Sequence, residues 1–174
     1  MPELIAPTSR LYDAWLDARD DWGRGVHQDG AGLRPGDDVE TAAGFAAWVR
    51  KLLRESDPAF PVADDWVHCT YWWIVEGDEV LGAIALRHEL NDFLLRGGGH
   101  IGYGVRPSAR RRGVAAFALG EVLRYAKTLG LEQVLITCNV VNNASRRTIE
   151  HYGGVLEDIR DTEIGRVSRY WVNT

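Results

Sequence analysis

The chain has 174 residues, 45% hydrophobic and 26% charged, which excludes a mostly disordered protein and allows a core without disulfides or metals. It has no run of about eighteen apolar residues to span a membrane. Its start, Met1-Pro2-Glu3-Leu4, lacks the basic and apolar regions of a secretory signal. The net charge of −5 is unevenly shared. Residues 1–98 carry nine Lys and Arg against eighteen Asp and Glu, and residues 99–174 carry eleven against seven. An acidic half beside a basic half fits two ligands of opposite charge better than a nucleic acid, although uneven surface decoration gives the same counts.

Residues 8–22 predict a helix capped by Thr8 or Ser9, with Leu11, Trp15, Ala18 and Trp22 at helical spacing. A glycine-rich segment, residues 23–38, follows. It is long for a connection and reads as a mobile lid or a disordered stretch. Thr41 to Arg54 predicts a second helix, with Phe45, Trp48, Val49 and Leu52 on one side. The period then changes. Trp66–Glu76 and Val80–His88 read as strands joined by the tight turn Glu76-Gly77-Asp78-Glu79. Adjacent Trp72 and Trp73 must face opposite sides of their strand. One belongs in the core, and the other is free for a ligand, an interface or a helix.

Gly97-Gly98-Gly99 opens a strand from His100 to Val105, which Pro107 ends. A helix from Val114 to Leu129 stops at Gly130. A short strand Gln133–Cys138, a helix Ala144–Tyr152 and strands Val155–Ile159 and Val167–Val172 complete the order β-α-α-β-β-β-α-β-α-β-β. This is an α/β layered fold with a mixed sheet, expected as a single domain over residues 1–174. Cys69 and Cys138 lie in strand-like runs and read as buried free thiols of a reduced, cytoplasmic compartment, with a disulfide staple as the alternative. Neither has a CxxC partner or clustered histidines, so no metal site is expected.

The segment Ile101-Gly102-Tyr103-Gly104-Val105-Arg106-Pro107-Ser108-Ala109-Arg110-Arg111-Arg112-Gly113-Val114-Ala115 carries the chemistry. It runs from a strand through a basic turn into a helix N-terminus, where free N–H groups and the helix dipole suit a diphosphate. Gly113 lets the backbone approach a bulky anion, and small Ala115 keeps the first turn open. Arg106, Arg110, Arg111 and Arg112 add positive charge, though the four also read as a solvated patch. The Walker pattern fails because the chain has no Gly-Lys pair. The dinucleotide fingerprint fails because Gly102-x-Gly104 lacks its third glycine.

Arg110-x-x-Gly113-x-Ala115 resembles motif A, Q/R-x-x-G-x-G/A, of the GNAT superfamily of N-acetyltransferases. The run Asn142-Asn143-Ala144-Ser145 through Glu150-His151-Tyr152-Gly153-Gly154 resembles its motif B. Leu86-Arg87-His88-Glu89-Leu90-Asn91, Gly98-Gly99-His100-Ile101-Gly102-Tyr103 and Arg169-Tyr170-Trp171 resemble a bacterial subgroup of predicted acetyltransferases. The likeness covers residues 66–174 in motifs and the first 65 only by element order. It implies a mixed sheet of about seven strands with helices on both faces. The strand His100–Val105 would splay from Gln133–Cys138. Acetyl-CoA would enter that opening, its acyl-pantetheine arm pairing with backbone near Val105. Its diphosphate would sit on the N–H groups from Arg111 through Gly113 and Val114 to Ala115, and Asn142 and Ser145 would contact its pantetheine or adenine side.

The implied activity is transfer of acetyl from acetyl-CoA to a primary amine. The acidic first half favours a small, cationic acceptor. An alkylammonium must lose a proton before attack, which at neutral pH costs roughly 4–5 kcal/mol. Base candidates are His88, Glu89 and His100. The superfamily's frequent acid, a tyrosine on the motif B helix, corresponds to Ile149. Tyr152, three residues on, shares its helix face and is the candidate substitute. Tyr103 is a further candidate. Missing acid and base groups would instead leave a non-catalytic acyl-CoA-binding or sensing domain. Neither a nucleic acid nor a membrane is an expected partner; a homodimer through an exposed sheet edge is.

Overall fold

Thr8 caps the turn ahead of the first helix, as expected, and Thr41 caps the second. A computed structural model describes residues 1–174. Thr8 accepts the Arg10 N–H at the head of a short 3-10 turn, Ser9–Leu11, that leads into α1 (Tyr12–Trp22). Thr41 accepts the Gly44 N–H and starts α2 (Ala42–Glu55). The strands are β1 (Glu3–Ile5), β2 (Cys69–Glu76), β3 (Glu79–Arg87), β4 (Ile101–Val105), β5 (Gln133–Asn139), β6 (Val155–Thr162) and β7 (Gly165–Asn173). Helix α3 (Val114–Thr128) lies between β4 and β5, and α4 (Asn143–His151) between β5 and β6.

The seven strands form one sheet in the order β1-β2-β3-β4-β5-β7-β6. Only β4 and β5 run parallel, because α3 returns the chain to the starting edge. Their pairing is confined to Ile101 and Ile136, so the two strands separate beyond that point. One core lies on the α3 face, around Ile84, Leu119, Ile136 and Ile149. A second lies on the α1–α2 face, around Trp15, Phe45, Trp48 and Trp73. Trp72 and Trp73 divide as predicted: Trp73 is buried under α2, and Trp72 packs edge-on to Tyr125 of α3 at 4.9 Å.

Two expectations change. Residues 97–99 do not open a strand, because Leu94–Gly98 is a single π-helical turn. Long-range bonds hold that turn. The buried Arg169 guanidinium donates to the Leu95 carbonyl at 2.8 and 3.1 Å, and Thr137 Oγ1 donates to that of Gly97 at 2.6 Å. Residues 23–38 are packed rather than disordered. Ala31 is buried in the second core, and Trp48 Nε1 donates to the Gly32 carbonyl at 3.3 Å.

This packing accounts for Gly102-x-Gly104. On the α1–α2 face of β4, a Cβ at Gly104 would lie 3.0 Å from the Trp22 ring and 3.1 Å from the Asp29 carbonyl. A Cβ at Gly102 would just touch the Gly30 backbone, at 3.4 Å. The two glycines are an approach surface for the loop and not half of a dinucleotide motif. Cys69 and Cys138 are free and buried, as expected.

Candidate active site

The end of β4, beyond its one pairing with β5, borders a cavity of about 460 Å³ together with the turn into α3 and the first turns of α4. Arg87 N–H donates to the His100 carbonyl, and Arg106 N–H to that of Leu81. The even-numbered residues of β4 therefore bond β3, and ladder alternation turns the backbone of Tyr103 and Val105 toward the opening. The Val105 carbonyl already accepts the Arg110 Nε–H at 2.9 Å.

The turn into α3 forms one end of the cavity. Arg111 (φ 63) and Gly113 (φ 77) are both left-handed, and Arg111 is the chain's one non-glycine residue with positive φ. A left-handed residue next to a right-handed helix, as Gly113 is at the head of α3, gathers N–H groups into an anion-binding concavity. Here the N–H groups of residues 111 through 116 find no acceptor within the chain. A Cβ at Gly113 would meet nothing within 4 Å. Free donors, a helix dipole and open space coincide at this point.

Of the expected cofactor residues, Val105, Arg110, Arg111, Gly113, Val114, Ala115, Asn142 and Ser145 line the cavity. Asn142 also caps α4, its Oδ1 accepting the Ser145 N–H at 3.1 Å. Arg106 and Arg112 do not line it. Arg106 is buried among carboxylates, 2.8 Å from both Asp17 and Asp21 and 3.5 Å from Glu79. The Arg106 guanidinium, with hydrogen bonds from the Ser108 hydroxyl and N–H, holds the Asp21 carboxyl down at about 2. The result is a clamp from α1 to the turn after β4. Arg112 is exposed and pairs with Glu76 at 2.5 Å.

None of the four expected catalytic side chains lines the cavity. His88 bonds Thr70 Oγ1 at 2.7 Å and stacks on His68, and Glu89 is exposed. His100 is buried, with Nδ1 accepting the Leu135 N–H at 2.9 Å. Burial, with the nearby Arg87 charge, pushes its imidazole down to about 4, so it is neutral near pH 7. The Tyr152 hydroxyl donates a hydrogen bond to the Ala116 carbonyl at 2.7 Å and ties the end of α4 to α3. A Tyr152→Phe enzyme should therefore keep near-normal turnover and lose about 1 kcal/mol of stability, measured by urea unfolding.

Three cavity residues carry chemistry that the sequence reading passed over or ranked low. Trp22 packs on Gly104, and the Arg110 guanidinium lies 5.0 Å from its ring centre. Asp29, from the glycine-rich segment, is the one carboxylate in the lining, with His27 Nε2 at 3.0 Å from Oδ1. Tyr103 is partly buried, its hydroxyl 3.4 Å from the Ser145 carbonyl, and burial pushes it up to about 12. Helical spacing marked Trp22 only as core. Asp29 carried no motif.

Residues 34–155 match the family model described as Acetyltransferase (GNAT) domain. No curated protein sequence matches the chain. Among solved structures, the microcin C7 self immunity acetyltransferase MccE in complex with acetyl-CoA and AMP has a TM-score of 0.71 at 13% identity, over 99% of this chain and 92% of that one. RimL, a ribosomal-protein alpha-N-acetyltransferase in complex with coenzyme A, gives 0.72 at 16%, over 99% and 93%. Mycobacterium smegmatis RimJ in complex with CoA-disulfide gives 0.75 at 18%, over 99% and 82%. These are likenesses of fold. With the family match over most of the chain and both motifs at one splayed strand pair, they lead to one statement: the chain belongs to the GNAT family of acetyltransferases.

Proposed function

We propose that the protein transfers an acetyl group from acetyl-CoA to the primary amine of a small, cationic acceptor. The observation that carries this is one cavity holding a row of free N–H groups at its α3 end and one carboxylate, Asp29, in its wall. The free amides of residues 111–116 would take the diphosphate, with the Arg110 and Arg111 charges beside it. Backbone of Tyr103 and Val105 would pair with the pantetheine arm along the opening, with Asn142 and Ser145 on its other side. The co-substrate supplies an activated acetyl thioester.

The chain's own groups then divide the work. Asp29 would draw an ammonium to the cavity, and His27, which meets Asp29 from outside the lining, is the candidate to receive the amine proton. Tyr103 stays protonated through the neutral range, so its hydroxyl can donate a hydrogen bond to the departing thiolate. A thiolate of pKa about 8.5 cannot pull the proton from so weak an acid, which leaves solvent to protonate it.

Thiol release from acetyl-CoA across an amine panel tests this reading. Cationic amines should be turned over, and Asp29→Asn should raise their KM about threefold to fivefold, as loss of one exposed ion pair does, with KM for acetyl-CoA unchanged. Turnover of neutral or anionic acceptors alone would refute the cationic assignment. Tight acetyl-CoA binding with no thiol release from any amine would favour the non-catalytic acyl-CoA-binding reading, which the buried, protonless Ile149 at the family's acid position makes specific.

A further inference from the structure

A second cleft, of about 410 Å³, lies between α2 and residues 60–67 and shares no lining residue with the first. Its volume is in the range of small-ligand sites. Positions 47, 50, 51 and 54 of α2 fall on one helix face and form one wall. The opposite wall is apolar and aromatic, from Phe60 and Val62 to Trp66.

The charges in this cleft are unbalanced. Arg34 is clamped by both oxygens of Glu55 at 2.8 and 2.9 Å and lies 3.8 Å above the Trp66 ring centre. Glu55 also accepts the Tyr71 hydroxyl at 2.9 Å, so both its oxygens are engaged away from Arg50 and Arg54. Lys51 pairs with Asp37. Arg50 and Arg54 pair with no carboxylate. They stand four residues apart on the same face, a like-charge spacing that disfavours a helix. The helix dipole accounts for a cation at Arg54, in the last turn, but not at Arg50, a turn earlier. The Arg54 guanidinium lies 4.8 Å from the Phe60 ring centre, beside the apolar wall. Phe60 and Trp66 are 40% and 51% exposed, so both rings keep surface for a guest.

We propose that this cleft binds a small organic anion, with a carboxylate or phosphate head between Arg50 and Arg54 and an apolar or aromatic body against Phe60 and Trp66. Two unpaired guanidinium groups supply forked donors for such a head, and the rings supply apolar area that an inorganic ion would leave unused. The site is distinct from the cofactor cavity, and the connection runs through one loop: residues 23–38 place Asp29 at the first cavity and Arg34 at the second.

Calorimetry on the full chain, saturated with acetyl-CoA so that the amides at α3 are filled, tests it with phenyl phosphate as the probe. The expected result is saturable one-to-one binding, weakened about tenfold or more in Arg50→Gln/Arg54→Gln and in Phe60→Ser. Inorganic phosphate alone should bind about tenfold more weakly or less well still. All three positions are exposed, so thermal midpoints and acetyl-CoA affinity should match the parent. Absence of saturable binding, equal affinity for inorganic phosphate, or affinity unchanged by both variants would overturn the proposal. So would tighter binding of a hexaglutamate peptide than of phenyl phosphate, which would make the cleft an acidic-peptide surface. Binding seen only without acetyl-CoA would place the probe at α3 and equally overturn it.

Discussion

Gly113→Glu should abolish measurable acetyl-CoA binding in calorimetry while the chain stays folded. Two effects add. Any Cβ at φ 77 strains a left-handed backbone, by about 1–2 kcal/mol for most residues. Glutamate also projects a negative charge into the open space in front of six free N–H groups, those of residues 111 through 116. Gly113→Asn separates the two effects, since asparagine tolerates the left-handed region and carries no charge. It should weaken binding by about tenfold or less. Unchanged affinity in Gly113→Glu would move the diphosphate away from the α3 N-terminus and remove the basis of the proposed function.

The second large effect is on stability. The His100 imidazole is lowered from 6.5 to about 4 by burial and by the Arg87 charge. A protonated ring would set a donor against the Leu135 N–H, which Nδ1 now accepts. Below pH 6.5 the unfolded chain binds a proton that the folded chain refuses. The stabilising contribution is thus fully present above 6.5 and falls as pH drops toward 4, by roughly 2–3 kcal/mol across that window. His100→Asn keeps an acceptor near the Nδ1 position and removes the titration. Urea unfolding at pH 7 and pH 4.5 should show a steep loss in the parent and a shallower one in His100→Asn. Equal slopes would contradict the assignment. Turnover of His100→Asn at pH 7 should stay near normal, because the ring acts as a backbone partner and not as a base.

The order of elements follows from the chain alone because its causes are local. Thr8 and Thr41 cap through their own side chains, and Glu76-Gly77-Asp78-Glu79 closes the hairpin. A glycine, Gly113, between a basic turn and an apolar helical run marks the anion end of the site in the sequence, and the structure finds it left-handed. The same locality explains why the motif reading located most of the cavity-lining residues.

What only the tertiary structure decided is the duty of each polar side chain. Arg106 and Arg110 sit in one basic run, and although the motif singles out Arg110, nothing in the sequence takes Arg106 away from the cofactor. Asp17 and Asp21, more than eighty residues earlier, claim Arg106, whereas Arg110 stays at the cavity. His100 and Tyr152 were plausible proton carriers by position in sequence. The Leu135 N–H and the Ala116 carbonyl, each about 35 residues distant, occupy them as structural partners. Asp29 was the converse: a loop residue without a motif, brought to the cavity because Gly102 and Gly104 leave β4 bare enough for the loop to lie on it. Caps, turns and periodicity depend on neighbours within a few residues and can be read along the chain. Pairing of charges and hydrogen-bonding groups depends on which distant atoms the packed sheet brings within about 3 Å, and that is fixed only when the chain folds.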